Sequence, residues 1–277
     1  MLPSTFRFSQ GSLQDFVDCP RRFQLRYVQS QMWPAVVAEP VFEVERHLDR
    51  GVRFHRLIQR HQLGVGGEVL GDSVRDDPEL LAWWERYLAF DFLHNLGGRC
   101  FPEASLSVSL GAVRLVAVFD LLVVSSDGRV YIFDWKTYSR FPGRDWLRSR
   151  LQTRVYPLVC VLAGSALLGV DVVPEDVSLV YWLVSGLEPV VFSCSASVFE
   201  EDLLFLSGLI ERVLGLSGDV WPLTEDHSRC RFCEYRSLCG RGAVGVFSSV
   251  GNDVDNIAGG VWDLGLFGGV GLVGFGE

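Results

Sequence analysis

Lysine is nearly missing from this 277-residue chain: of 25 basic residues, 24 are arginine and one, Lys136, is lysine. A lone ammonium in an arginine-rich protein marks a position that needs a compact amine, which a planar guanidinium does not replace. Codon bias with one surviving lysine is the competing explanation. High charge is also lacking. With 21% charged residues, a net charge of −9 and 48% hydrophobic residues, disorder is excluded for most of the chain. Long uninterrupted apolar runs are absent: the stretch from Val155 to Val173 contains Pro157 and Asp171 and reads as core helix, not as a membrane span. The opening residues, MLPSTFRFSQ, lack a charged region followed by an apolar one, so a cytoplasmic chain with no membrane partner is expected. A positive balance is lacking too, which argues weakly against nucleic acid. A cleft can nonetheless be basic inside an acidic shell.

What is present reads as a single α/β domain. Residues 12–30 form an expected helix, capped by Ser12, with Phe16, Phe23 and Tyr27 at helical spacing. In a second helix over 41–62, Arg46, Arg50, Arg53, Arg56 and Arg60 share one face. His55 lies opposite them with Val44, Leu48, Val52 and Ile58, so its imidazole faces inward. A third helix is expected over 79–96. The alternation in 105–110, the apolar run Val113 to Val124 and the stretch Arg129 to Lys136 give three antiparallel strands, with Ser125 to Gly128 as a hairpin turn. A helix over 144–169, strands over 177–184 and 188–194 and a helix over 197–216 complete a mixed α/β core. Twelve glycines fall between 240 and 277. That stretch has no clear period, so a domain over 1–240 and a poorly ordered Gly-rich tail over 241–277 are expected.

Asp134 and Lys136 are two apart on one strand and leave the same face. Counting back from the hairpin, Asp120 falls opposite Phe133 or Asp134. Two carboxylates this close repel unless a cation lies between them, and an oxygen-rich pair suits Mg²⁺ or Mn²⁺. An alternative is a simple Lys136–Asp134 ion pair at the surface, but VYIFDWK and LVAVFD are apolar strands, poor places for decorative charge. His55 could add a nitrogen ligand, or be a core histidine. Gln152 and Tyr156, at i and i+4, could orient a phosphate or water, or be interfacial polar residues. Around them Lys136, Arg140, Arg144, Arg148, Arg150 and Arg154 form a basic run broken by one acid, Asp145.

Cys230, Cys233 and Cys239 form C-x₂-C-x₅-C, a metal-binding pattern whose fourth ligand is best supplied by Cys19. Spacing alone leaves zinc and iron–sulfur open. Cys100, Cys160 and Cys194 lie in apolar stretches and read as small buried residues.

Taken together, GVRFHRL with His55, VFD with Asp120, DWK with Asp134 and Lys136, and QTRVY with Gln152 and Tyr156 resemble the PD-(D/E)XK nuclease superfamily and its RecB-like exonuclease branch. Glu103 falls at a frequent acidic position of that branch, while Phe119 stands where the family name has proline. Cys19 followed by PRRF, with the C-terminal trio, is similar to the iron–sulfur members of the branch, AddB-type subunits and CRISPR adaptation exonucleases among them. The resemblance implies a restriction-endonuclease-like core, a mixed sheet flanked by helices, whose two chain ends are joined by a [4Fe–4S] cluster on Cys19, Cys230, Cys233 and Cys239. It implies a Mg²⁺ or Mn²⁺ held by His55, Asp120, Asp134 and the Trp135 carbonyl, with Lys136 activating the attacking water. The expected activity is DNA hydrolysis in end processing for repair or recombination, any helicase motor being a separate protein. A catalytically inactive DNA-binding scaffold and a CRISPR spacer-acquisition nuclease are the alternatives.

Overall fold

The computed structural model describes residues 2–3, 5–31, 39–138, 141, 143–186, 188–230 and 233–241, with backbone alone over 39–45. Arg140 and all of the expected Gly-rich tail beyond Arg241 lie outside the described residues. The chain opens with β1 (Arg7–Phe8), α1 (Gln10–Asp18) and α2 (Pro20–Phe23), which runs into a π-helical turn, Gln24–Val28. The single helix expected over 12–30 is broken at Cys19, whose φ of −165° and ψ of 110° are extended, as a residue before proline prefers. Pro20 then occupies the first helical position of α2, where its missing N–H costs nothing. Ser12 is not the cap of α1. Ser9 is, and Ser12 is its reciprocal partner: Ser12 N–H donates to Ser9 Oγ at 3.2 Å and Ser9 N–H to Ser12 Oγ at 2.9 Å, a capping box.

Next come α3 (Glu39–Gln62), α4 (Gly67–Asp72), α5 (Pro78–Leu88) and α6 (Asp91–His94). The helix expected over 79–96 is thus split after Leu88. The glycine-bearing α4 and the two-residue β1 have too little pattern to be read from sequence. The three antiparallel strands follow as β2 (Arg99–Leu110), β3 (Val113–Val124) and β4 (Val130–Lys136). Then come α7 (Arg144–Ser149), α8 (Leu151–Leu168), β5 (Val177–Leu183), β6 (Val190–Ser193) and α9 (Ala196–Gly215). The helix expected over 144–169 breaks at Arg150, whose ψ of 138° is extended. By length and composition α8 could cross a membrane, but 56% of it is buried inside the fold.

The sheet has the order β1-β3-β4-β5-β6, with β2 along the other edge of β3. β2, β3 and β4 are antiparallel neighbours, and β4 and β5 are parallel, joined by the α7–α8 crossover. Each face carries its own apolar core. On one side Leu115, Phe119, Ile132 and Leu179 pack under α8, α1 and α9; on the other Leu121, Phe133, Trp135 and Trp182 pack under α3 and α5. The fold is the mixed, helix-flanked sheet expected from sequence.

The two ends of the described chain meet. Phe23 stacks on Trp221, ring planes 5° apart, Arg21 N–H donates to the Pro222 carbonyl at 3.0 Å, and Trp221 N–H donates to Gln24 Oε1 at 2.8 Å. Phe23 and Trp221 are buried, which contributes ~2–3 kcal/mol for each ring.

Candidate active site

β3 divides one of its edges between two neighbours. β1 takes Arg114 and Leu115, while β4 takes Leu121 to Val124, ending at the pair Leu121↔Phe133. Beyond that pair the two central strands separate. At the same level both β2 and β3 change face. The side chains turned toward α8 are Leu115, Ala117 and Phe119 and then Leu122 and Val124 in β3; in β2 they are Phe101 and then Ala104, Leu106 and Val108. The alternation slips by one in each strand, and Glu103 sits in the slip with φ +51°, a left-handed conformation that costs a non-glycine residue ~1–2 kcal/mol.

This opening gathers polar side chains from both faces of the sheet. From the α3 side comes His55. Its Nε2 donates to the Trp135 carbonyl at 3.0 Å and its Nδ1 to Asp120 Oδ1 at 3.2 Å. Asp120 Oδ2 in turn accepts from Trp135 N–H at 2.9 Å, closing the end of the β3–β4 ladder with a side chain in place of a backbone carbonyl. Both acceptors of His55 lack protons to give, so the ring donates twice, as an imidazolium does. Ligand atoms of His55, Glu103 and Asp120 lie within 4.8 Å of one another, the one such group among the described residues. Imidazole nitrogen and carboxylate oxygens are a donor set that suits a divalent cation.

From the α8 side come Asp134 and Lys136, side by side because they are two apart on β4. Lys136 Nζ lies 2.9 Å from Asp134 Oδ2, an ion pair without the angle of a hydrogen bond. It also donates to Gln152 Oε1 at 2.7 Å, and Gln152 Nε2 donates to Asp134 Oδ1. Lys136 is 5% exposed and Asp134 4%, so the surface-pair alternative is excluded by burial. The ammonium lies 5.5 Å from the Tyr181 ring centroid and 6.0 Å from that of Tyr138, a cage of aromatic faces that suits a compact cation.

The charges report a local deficit of positive charge. Burial works against ionised Asp120, but the charge and hydrogen bond of His55 and the Trp135 N–H hold its carboxyl below the usual range. Burial, reinforced by Asp120, pushes Asp134 up although Lys136 opposes it. Burial and the Asp120 charge push Glu103 up to about 7. Burial alone would lower His55; Asp120, Asp134 and Glu103 raise it instead. Tyr156 is held far above its ordinary value by burial and the two aspartates, and stays neutral.

The site expected from sequence is brought together with two changes. Asp134 does not join His55 and Asp120 as a ready ligand, because Lys136 and Gln152 hold both of its oxygens; Glu103 takes that place in the cluster. The Trp135 carbonyl is at the site but receives His55 Nε2. Gln152 touches both charged groups, while Tyr156 stands one step back, packed on Phe119 with centroids 5.0 Å apart, its hydroxyl 3.4 Å from Gln10 Nε2. The expected basic run does not form one stripe. Arg154 pairs with Asp202 and with Glu201, Arg150 is buried over Trp146, and Arg144 and Arg148 lie over the Phe192 ring. Sequence reasoning gave no role to Gln10 and Gln14 of α1, which reach this region from a helix that buries nearly every residue, polar or not.

At the joined chain ends, Cys19 is buried and Cys230, Cys233 and Cys239 are partly so. Burial pushes the Cys233 thiol up to about 11, with the neighbouring Cys19 and Cys239 adding to the rise and Arg22 opposing it. Cys239 is raised by burial, then by Cys19 and Cys230. Cys19 thus acts on Cys233 and Cys239, and Cys230 on Cys239, although no three of the four sulfurs lie within 4.8 Å of one another. Cys160 and Cys194 are buried as expected, whereas Cys100 is exposed at the start of β2.

The profile of the PD-(D/E)XK nuclease superfamily matches residues 7–105 and 87–240. Comparison with curated proteins finds no match. Similar solved structures include SSO0001, 13% identical with a TM-score of 0.38 over 73% of this chain and 96% of that one. Another, from Eubacterium rectale, carries a provisional designation as an exonuclease; it is 11% identical, with a TM-score of 0.46 over 88% of this chain and 91% of that one. At these scores neither structure bears on function.

Proposed function

The chain belongs to the PD-(D/E)XK nuclease superfamily, and from that premise we propose that it is a metal-dependent deoxyribonuclease that hydrolyses phosphodiester bonds at DNA ends in repair or recombination. The observation that carries this reading is the meeting of His55, Glu103 and Asp120 within 4.8 Å beside the buried Asp134–Lys136–Gln152 trio. The residues that would hold Mg²⁺ or Mn²⁺ are Asp120 and Glu103, with His55 once its proton is displaced, and Asp134 on release from Gln152. Bound there, the ion supplies positive charge to phosphate oxygens and acidifies water.

The chain's own groups do the rest. Lys136 is kept charged by Asp134 and aimed by Gln152, and its ammonium stabilises the attacking oxygen and the charge that grows on phosphate. Gln152 keeps a single amide orientation because its oxygen faces an ammonium and its nitrogen a carboxylate. Asp120 fixes His55 and the strand end together, which holds the donor atoms in place before any substrate arrives. The aromatic floor of Phe133, Trp135 and Trp182 excludes water from beneath the site.

The second part of the proposal is a [4Fe–4S] cluster on Cys19, Cys230, Cys233 and Cys239. What supports it is the C-x₂-C-x₅-C spacing of Cys230, Cys233 and Cys239 on a segment that packs against the one carrying Cys19, with Arg229 on Asp18 and Arg21 N–H on the Pro222 carbonyl. The deciding experiment is anaerobic purification, metal analysis, and an assay with Mg²⁺ or Mn²⁺ on end-labelled single and double strands. Metal-dependent cleavage is expected, together with about four irons and four sulfides per chain. No cleavage under any metal overturns the nuclease reading; one zinc and no iron overturns the cluster.

A further inference from the structure

We propose that Gln14 is a positioning residue for cleavage, setting the start of α8 and hence Gln152 against Lys136, and that through Asp18 it makes this setting depend on the cysteine-bearing segment. The proposal rests on the nuclease reading and deepens it.

The starting point is a helix without a cap of its own. The residue preceding α8 is Arg150, which makes no side-chain capping bond; a guanidinium has donors only, whereas the first N–H groups of a helix need acceptors. Gln14 of α1 supplies the acceptor from outside: Leu151 N–H donates to Gln14 Oε1 at 3.1 Å. The other end of the same amide donates to Asp18 Oδ1 at 2.9 Å. Flipping the amide would set N–H against N–H and oxygen against oxygen, so its orientation is fixed. Asp18 is the far anchor. Arg229, adjacent to Cys230 in sequence, lies 3.1 Å from its Oδ1, and Arg22, three residues after Cys19, lies 2.8 Å from its Oδ2.

On the near side, the residue after Leu151 is Gln152, which donates to Asp134 and accepts from Lys136 at 2.7 Å. One step along both helices, Gln10 and Tyr156 make a second rung at 3.4 Å. Gln10, Gln14, Asp18 and Gln152 are 6%, 7%, 8% and 4% exposed, so water is not at hand to replace a lost partner. The result is a continuous path of single contacts: Arg229, Asp18, Gln14, the first N–H of α8, Gln152, Lys136. A shift of the cysteine segment moves Asp18, and the register of α8 follows.

The test uses the full chain with Gln14→Met, which keeps the volume and removes both bonds, and Arg229→Gln, which breaks the exposed end. Amide hydrogen exchange over 147–156 and single-turnover cleavage are measured side by side. Gln14→Met is expected to speed exchange at the start of α8 and to lower kcat by ~10–50-fold, with DNA affinity within about twofold, because small displacements of a catalytic group are costly. In a Gln152→Ala background the same change should lower kcat by less than about twofold, since both act through one path. Arg229→Gln should give the same signature at ~2–5-fold, and serves if Gln14→Met fails to fold. Unchanged exchange, fully multiplicative losses with Gln152→Ala, or an effect on KM alone overturns the proposal. If the wild-type chain cleaves no DNA, the nuclease reading falls and the catalytic half with it, and the exchange data alone decide whether Gln14 couples the cysteine segment to α8.

Discussion

Two clusters of charge meet at the start of α8, and they are assembled by different rules. At the seam where the chain ends join, here called the clamp, Asp15, Asp18, Asp226 and Glu234 face Arg22, Arg26 and Arg229. Each carboxylate there has a guanidinium partner, Asp226 on Arg229 included, and guanidiniums do not give up their charge. At the sheet opening, Glu103, Asp120 and Asp134 face one ammonium and one imidazole. Here positive charge is short, and Glu103, Asp134 and His55 are all shifted upward. A buried cluster short of positive charge, with His55, Glu103 and Asp120 donor atoms within 4.8 Å of one another, suits a divalent cation. A cluster whose carboxylates are each already paired with a guanidinium has no such need. The comparison separates the carboxylates of an ionic joint from those of a candidate metal site.

The comparison is broken most severely at the opening. Asp134→Ala is expected to lower cleavage by at least ~1,000-fold, about 4 kcal/mol on the barrier, with the circular dichroism spectrum unchanged and DNA binding retained or tightened. A variant that cleaves at the wild-type rate refutes the site. In the clamp the expected effect is on stability. Asp15→Ala leaves Arg26 with Glu234 alone and Arg22 with Asp18 alone, and losing such charge-assisted bonds costs ~1.5–3 kcal/mol. Urea unfolding should show that loss, while the rate per folded molecule falls far less than in Asp134→Ala; equal losses of activity would erase the distinction.

Third in size is Lys136→Arg, expected to lose ~100-fold in turnover, nearly as much as Lys136→Ala. The ammonium is enclosed by Asp134, Gln152 and the Tyr138 and Tyr181 rings, a space that does not take a planar fork of five donors. Near wild-type turnover in the arginine variant would return the lone lysine to codon bias.

The smallest effect sharpens the comparison by pH. Glu103, Asp134 and His55 have raised pKa values in the fold, so each binds its proton more tightly folded than unfolded. Their contribution is complete below the unfolded values and is lost as pH rises through the folded ones. For Glu103 that window runs from its unfolded value near 4.5 to about 7. Metal-free protein should therefore melt lower at pH 7.5 than at pH 5. Glu103→Gln should narrow that difference by ~2–4 °C, and saturating Mg²⁺ or Mn²⁺ should do the same in the wild type. A pH-independent difference between wild type and Glu103→Gln would show that Glu103 does not titrate in this window.

The sequence by itself determined the periodic elements and the short-range chemistry. The inward face of His55 follows from a 3.6-residue period, the shared face of Asp134 and Lys136 from a period of two, and the hairpin at Ser125 to Gly128 from its turn residues. Each depends on neighbours a few residues apart, and each is found in the fold. Helix ends were less legible. The break at Cys19 was written in the following proline, but the break at Arg150 carries no residue signal, because an uncapped helix start is tolerated only where another segment supplies the acceptor. Only the tertiary structure decided which charges share a space. Glu103 enters the cluster through a left-handed backbone turn that its residue type disfavours, Asp134 is withheld from it by a glutamine 18 residues away, and Gln14 reaches α8 across 137 residues. Burial in one low-dielectric space makes those charges act on each other, and that proximity is a property of the packed chain, which periodicity along the sequence does not record.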